Sequence, residues 1–84
     1  MASKRRKDQI LSQILTVCLG GECKTKIVYN ANLNFRTVNP YLENLLTNEL
    51  LEAIDGPIVL YRTTEKGEQV LEHFKEIARL MPHP

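Results

Sequence analysis

The sequence predicts a mainly α-helical fold with one small β-hairpin, in the order helix, helix, helix, hairpin, helix. Three observations carry that prediction. Apolar residues recur at helical spacing in stretches punctuated by glycine, asparagine and threonine. Near the C-terminal third, "LLEAIDGPIVLYRTT" changes to strand-like alternation around Asp55-Gly56, a strong hairpin signal. The chain has 84 residues, the length of one domain with one modest core.

The first helix is predicted over about Lys7 to Leu19, with Ile10, Leu11, Ile14, Leu15 and Cys18 on one face. Gly20-Gly21 ends it, because glycine accepts the left-handed conformation a helix C-terminus requires. A short second helix runs over about Lys24 to Asn30 and turns Ile27 and Val28 inward. In "NANLN", Asn32 or Asn34 turns or caps the chain, a short amide side chain standing in for a missing backbone partner.

The third helix covers about Phe35 to Asn48, with Val38, Leu42, Leu45 and Leu46 as its buried stripe. Pro40 falls inside it, where a proline removes a backbone donor. Two solutions are open: Asn34 caps a helix that kinks at Pro40, or Asn39 caps a fresh start with Pro40 at its first position. One continuous helix with a loosened first turn is preferred.

In the hairpin, Leu51 and Ala53 alternate in one strand and Ile58, Leu60 and Arg62 in the other, with Pro57 where the second strand begins. Thr64 caps the last helix, about Glu65 to Met81, before Pro82 stops it. Its stripe is Val70, Phe74, Ile77, Ala78 and Met81. A second and third helix separated by a few residues make a helix-turn-helix, and a hairpin directly after them is the wing of a winged helix-turn-helix.

The net charge of +1 conceals a polarised chain. Residues 1–36 carry seven Lys and Arg against two acids, whereas residues 37–84 carry four against eight. The basic half is suited to phosphate and the acidic half to solvent. No apolar run is long enough to span a membrane, and "MASKRRKDQ" leads into an amphipathic segment, not a signal peptide, so a cytoplasmic, nucleoid-associated location is expected. Cys18 and Cys23 are too few for a disulfide framework. His73 and His83 are too remote to complete a zinc site and have no nucleophile beside them. "GGEC" lacks the Gly-Lys-Ser/Thr ending of a phosphate-binding loop. No enzyme activity, cofactor, metal or small-molecule ligand is predicted.

The surface carries the remaining signal. A third helix with one apolar side offers Arg36, Thr37, Asn39 and Asn44 on the other, with Tyr41 at the margin. Arginine pairs with guanine O6 and N7, asparagine with adenine N6 and N7, and threonine meets a polar edge or the thymine methyl. The same residue types also make an ordinary solvated face. Lys24, Thr25 and Lys26 open the second helix, where the helix dipole favours phosphate. Lys4, Arg5, Arg6 and Lys7 form a basic arm able to follow a nucleic-acid backbone, or simply a solubilising tail. Arg62 reaches a phosphate from the wing or pairs across the strands with an acid such as Glu52. The last helix has more apolar edge than one small core uses, so an antiparallel pairing through Val70, Phe74, Ile77, Ala78 and Met81 would give a homodimer.

Beyond these patterns, "GECKTKIVYNANL" (Gly21 to Leu33), "YLENLL" (Tyr41 to Leu46) and "YRTTEKG" (Tyr61 to Gly67) resemble small archaeal winged-helix regulators of the ArnR-like type, related to archaeal chromatin-associated winged-helix dimers. The resemblance covers about residues 5 to 78. It implies a sequence-specific double-stranded DNA-binding transcriptional regulator, dimeric through its last helix. Two other uses of the fold stay open: an architectural chromatin protein with little sequence preference, and a protein-interaction module. The chain departs from the family pattern in a last helix shorter than in related dimers, reaching Pro82 after about four turns, and at three further places. Glu49 replaces a glycine, so Asn48 is expected to supply the turn; Pro40 replaces a polar residue; and the wing tip "DGP" is acidic where a cation is usual.

Overall fold

The computed structural model describes residues 6–81; Lys4 and Arg5 of the expected basic arm, and Pro82 and His83, lie outside the described residues. Its elements are α1 (Lys7–Val17), α2 (Lys24–Asn30), α3 (Phe35–Thr47), β1 (Leu51–Ile54), β2 (Leu60–Thr63) and α4 (Glu65–Leu80). This is the predicted winged helix-turn-helix order. α1 stops two residues earlier than expected, with Cys18 as its C-cap, and Gly21 takes the positive φ of 89°.

The core forms where α1, α2 and α3 converge. Ile14, Leu15, Cys18, Ile27, Val38 and Leu45 are fully buried, joined by Leu42, Leu51 and Leu71. Each side chain of this size is worth about 1.5–3 kcal/mol when taken wholly from water. Buried Cys18 is one of these packing groups: its burial first, and the charge of Glu22 second, push the thiol up to about 12. It therefore stays neutral and weakly nucleophilic at physiological pH.

Both ends of α3 are closed by local chemistry. Asn34 is the N-cap, its Oδ1 accepting the Thr37 N–H at 2.8 Å while the Asn34 N–H donates to Thr37 Oγ1 at 3.3 Å. The helix runs unbroken through Pro40, as the preferred reading had it. Pro40 has no N–H to give the Arg36 carbonyl, and a position so near the start of the helix keeps that loss local.

The C-terminus of α3 corrects the expectation for the turn. Asn48 has an ordinary φ of −87°, and Glu49 itself adopts the left-handed conformation at φ 63°. Leu50 N–H donates to the Leu45 carbonyl at 2.8 Å and Glu49 N–H to the Leu46 carbonyl at 3.0 Å, so a Schellman turn forms without glycine. The end of α2 has the same pattern, with Asn32 at φ 54° and Leu33 N–H donating to the Val28 carbonyl at 2.9 Å.

The hairpin is broader than Asp55-Gly56 suggested. β1 and β2 are antiparallel, pairing Leu51 with Thr63, Glu52 with Arg62, Ala53 with Tyr61 and Ile54 with Leu60. Ile58 is not in the second strand: it lies in the 55–59 loop, 65% exposed, and Pro57 does not begin the strand. Proline cannot donate a ladder hydrogen bond, so pairing resumes only at Leu60. On its other edge β2 exchanges hydrogen bonds with Glu22, Tyr61 N–H to the Glu22 carbonyl at 2.8 Å and the return at 2.9 Å. Thr63 fastens the strand to the end of α1, its hydroxyl donating to the Leu15 carbonyl at 2.7 Å and its N–H to the Cys18 carbonyl at 3.0 Å.

The start of α4 locks onto this joint. The Thr64 hydroxyl donates to the Glu49 carbonyl at 2.7 Å and accepts the Gly67 N–H at 2.9 Å. Gly67 is buried; a Cβ there would collide with the Leu50 carbonyl oxygen and stand 2.8 Å from Thr63 Cγ2. The buried side of α4 is Gly67 and Leu71, with Val70 and Phe74 half-buried beside them. The expected stripe thus divides, because its C-terminal members Ile77, Ala78 and Met81 are exposed, together with Leu80.

Candidate functional site

The helix-turn-helix turns α3 so that Val38, Leu42 and Leu45 face the core and Arg36, Thr37, Asn39 and Asn44 all face out. The three buried residues pack against the interior and hold the outer row at a fixed angle. Thr37 spends its hydroxyl on the cap, within 3.2 Å of the Asn34 carbonyl and 3.1 Å of its Oδ1. Asn44 uses its backbone carbonyl to accept from Asn48 Nδ2 at 2.8 Å.

Two clusters form around this row. At the start of α3, Arg36, Thr37, Pro40, Tyr41 and Asn44 line one wall of an open groove of about 490 Å³, and Lys7 and Leu11 of α1 line the other. The expected arm and the expected base-facing helix thus meet at Lys7. Further along, the Lys24 ammonium donates to Asn39 Oδ1 at 2.8 Å, joining the first residue of α2 to the middle of α3. Thr25 and Lys26 are exposed on the first turn of α2, which carries no acidic residue. Lysines at a helix N-terminus oppose its dipole, at a cost of about 0.3–1 kcal/mol each at exposed sites, so their placement does not serve the stability of α2.

The other site candidates sit elsewhere. Arg62 is on the hairpin face away from Leu51 and Thr63, bonded to Glu52 through both Nε (3.1 Å) and Nη2 (3.0 Å). Of the two residue readings for Arg62, the cross-strand pair is the contact present. Asp55 and the exposed Ile58, Val59 and Leu60 make up the wing tip.

Sequence reasoning passed over several residues of the site. Tyr29 is 78% exposed on α2, and Phe35 is half-exposed at the first position of α3, so two aromatic rings flank the turn between the helices. For Tyr29 the signal was available: it falls off the stripe of Ile27, Val28 and Ala31. For Pro40 and Leu11 as groove walls, and for the Lys24–Asn39 bond, there was none, since both depend on how α1 and α2 lie across α3.

Among the described residues no helix is long and apolar enough to cross a membrane. Comparison with known proteins fits the architecture. Residues 4–82 match the model of the winged helix-turn-helix family. The protein MJ0290 of Methanocaldococcus jannaschii is 42% identical over 79 residues, which are 93% of this chain but 36% of that protein, so the chain spans little more than a third of that relative's length. MJ0287 of the same organism is 29% identical over 79 residues, 93% of this chain and 78% of that one. Among solved structures, Sso10a-2, a DNA-binding protein from Sulfolobus solfataricus, superposes with a TM-score of 0.86 at 26% identity, covering 90% of this chain and 81% of that one. Bordetella bronchiseptica BpsR, whose DNA binding is regulated by 6-hydroxynicotinic acid, shares the fold at a TM-score of 0.75 and 21% identity, covering 95% of this chain and 64% of its own.

Proposed function

The chain belongs to the winged helix-turn-helix family, and on that footing we propose that it binds double-stranded DNA with α3 in the major groove and acts as a transcriptional regulator. The observation that carries this reading is the outer row of α3. Arg36, Asn39 and Asn44 stand exposed on a helix anchored by three core residues, with Lys7 and Lys24 beside them. In this reading Arg36, Thr37, Asn39 and Asn44 face bases. Lys4, Arg5, Arg6, Lys7, Lys24, Thr25 and Lys26 face phosphates, and Arg62 joins them only when released from Glu52. The quoted motifs support a narrower place among the ArnR-like archaeal regulators, and the DNA-binding description of Sso10a-2 supports the ligand. Nothing in the reading requires catalysis, and its setting is the nucleoid.

The exposed end of α4 supports a homodimer. Ile77, Leu80 and Met81 are 51%, 67% and 69% exposed, and a second copy of α4 would cover them together with Ala78 and the outer edges of Val70 and Phe74. Recognition helices about 34 Å apart would then address a roughly palindromic site.

Binding to a mixed-sequence duplex and to one selected from a random pool tests the proposal. A regulator gains about 10³-fold or more on the selected duplex, and a dimer with about eight phosphate contacts shows a slope near −7 in log K against log salt. Equal affinity for both duplexes would indicate an architectural protein, and a flat salt dependence would contradict backbone binding altogether. One observation favours a protein-interaction module: the wing tip is acidic and apolar and has no free cation. A Lys24→Glu/Lys26→Glu/Arg36→Glu variant that folds and keeps its DNA affinity would move the account there.

A further inference from the structure

Lys24 and Asn39 meet in a way that restricts what Asn39 is able to read. The ammonium has three donors and no acceptor, so the atom it holds at 2.8 Å must be the amide oxygen. The Asn39 NH₂ group is then the end left for a partner. Neither residue has a competing acid: the ion pairs among the described residues are Arg62 with Glu52 and Arg79 with Glu76. Lys24 also gains nothing from α2, whose positive end it occupies. Its hydrogen-bond partner is on the other helix, in the middle of the outer row.

Resting on the DNA-binding reading above, we infer that Lys24 and Asn39 act as one donor-only unit that selects guanine and rejects adenine at the base pair facing Asn39. A free asparagine reads adenine with both ends, accepting from N6 and donating to N7. Here one of the two lone pairs of the oxygen is bonded to a cation, and an adenine N6–H₂ approaching the other would bring its positive hydrogen beside the ammonium, which disfavours it. What the pair offers outward is the Asn39 NH₂ and the remaining hydrogens of Lys24. The purine edge with two adjacent acceptors and no donor is guanine, through N7 and O6. Lys24 is thus a positioning residue for Asn39 as well as a contact in its own right, and the specificity of α3 depends on a residue outside α3.

The experiment is a binding selection from a random duplex pool, run on the full chain and on Asn39→Ala and Lys24→Met, with circular dichroism to confirm folding. Asn39→Ala locates the position, because preference disappears there alone. The inference expects guanine over adenine by roughly ten-fold or more at that position in the unsubstituted protein. It expects Lys24→Met to turn the preference toward adenine, because methionine keeps the stem and frees the amide oxygen. A guanine preference that survives Lys24→Met with only a uniform loss of affinity would overturn it, since Lys24 would then act on phosphate alone and not through Asn39. Adenine in the unsubstituted protein, or no position that depends on Asn39, would overturn it while leaving DNA reading intact. Absence of binding to any duplex would remove the DNA reading and the inference with it, whereas binding without enrichment would overturn the inference and leave an architectural DNA-binding protein.

Discussion

Helix α3 and the β1–β2 hairpin leave the same small core side by side, yet they bring different chemistry to solvent. α3 shows guanidinium and amide groups, with Lys7 and Lys24 at its flanks. The hairpin shows Glu52, Asp55 and the apolar Ile58, Val59 and Leu60, and its one cation, Arg62, is bonded to Glu52. In this fold both projections are placed to approach a duplex. In the proposed reading the field that attracts phosphate is concentrated on the helix side, and the wing, acidic at its tip, contributes shape without an unpaired cation. Both projections are seated by one joint, where Glu49 and Leu50 meet Thr64 and Gly67.

Breaking that joint has the largest expected effect. Gly67→Ala forces a methyl group into the Leu50 carbonyl, a backbone atom that cannot rotate away. It should cost about 3 kcal/mol and lower the melting temperature by more than about 10 °C, read by chemical and thermal unfolding. Next, the comparison itself predicts unequal alanine scans. Arg36→Ala should weaken binding to a selected duplex about ten-fold or more, by the worth of a good base contact, whereas Arg62→Ala should change it less than about two-fold because its charge is already matched. Fluorescence anisotropy at fixed salt measures both.

A smaller effect sharpens the same point. Glu52→Ala removes the partner of Arg62 and gives the wing a free cation. Affinity should rise by a few-fold, while stability falls by at most about 1 kcal/mol, the usual worth of an exposed ion pair. The smallest effect is at the turn that leads from α3 into the hairpin. Glu49 holds φ 63°, a conformation that costs an ordinary residue about 1–2 kcal/mol. Glycine would avoid that cost and give back about 0.5–1 kcal/mol of it as lost chain entropy. Glu49→Gly should therefore raise the melting temperature by a few degrees without altering DNA affinity.

How much of this was legible in the sequence follows from the range of each interaction. The four helices, the cap at Asn34 and the cap at Thr64 are set by neighbours within a turn or two, and the pattern shows them, although α1 ends at Val17, ahead of the expected stop at Gly20-Gly21. The width of the wing does not follow from the pattern, because Asp-Gly favours a tight turn while Pro57, one residue later, breaks the ladder. Residue type points to Asn48 as the left-handed residue after α3. The Schellman geometry instead counts from the end of the helix, and docking of Leu50 fixes that end at Glu49. Gly67 and Leu71 were absent from the stripe of α4 because their requirement is non-local: only the first half of that helix reaches the core. The candidate site divides in the same way. The outer row of α3 could be read from spacing, but the groove with Lys7 and the bond from Lys24 to Asn39 join residues distant in sequence, and no local signal announces them.

The claim on which the account turns is that α3, and not the wing, meets nucleic acid. Titration of the ¹⁵N-labelled chain with a selected duplex, followed residue by residue in amide correlation spectra, tests it directly. The account predicts that the largest shifts fall on residues 35–44 and on Lys24 to Lys26, with the 55–59 loop little moved. Shifts concentrated on the wing or on α4, with α3 unmoved, would contradict it.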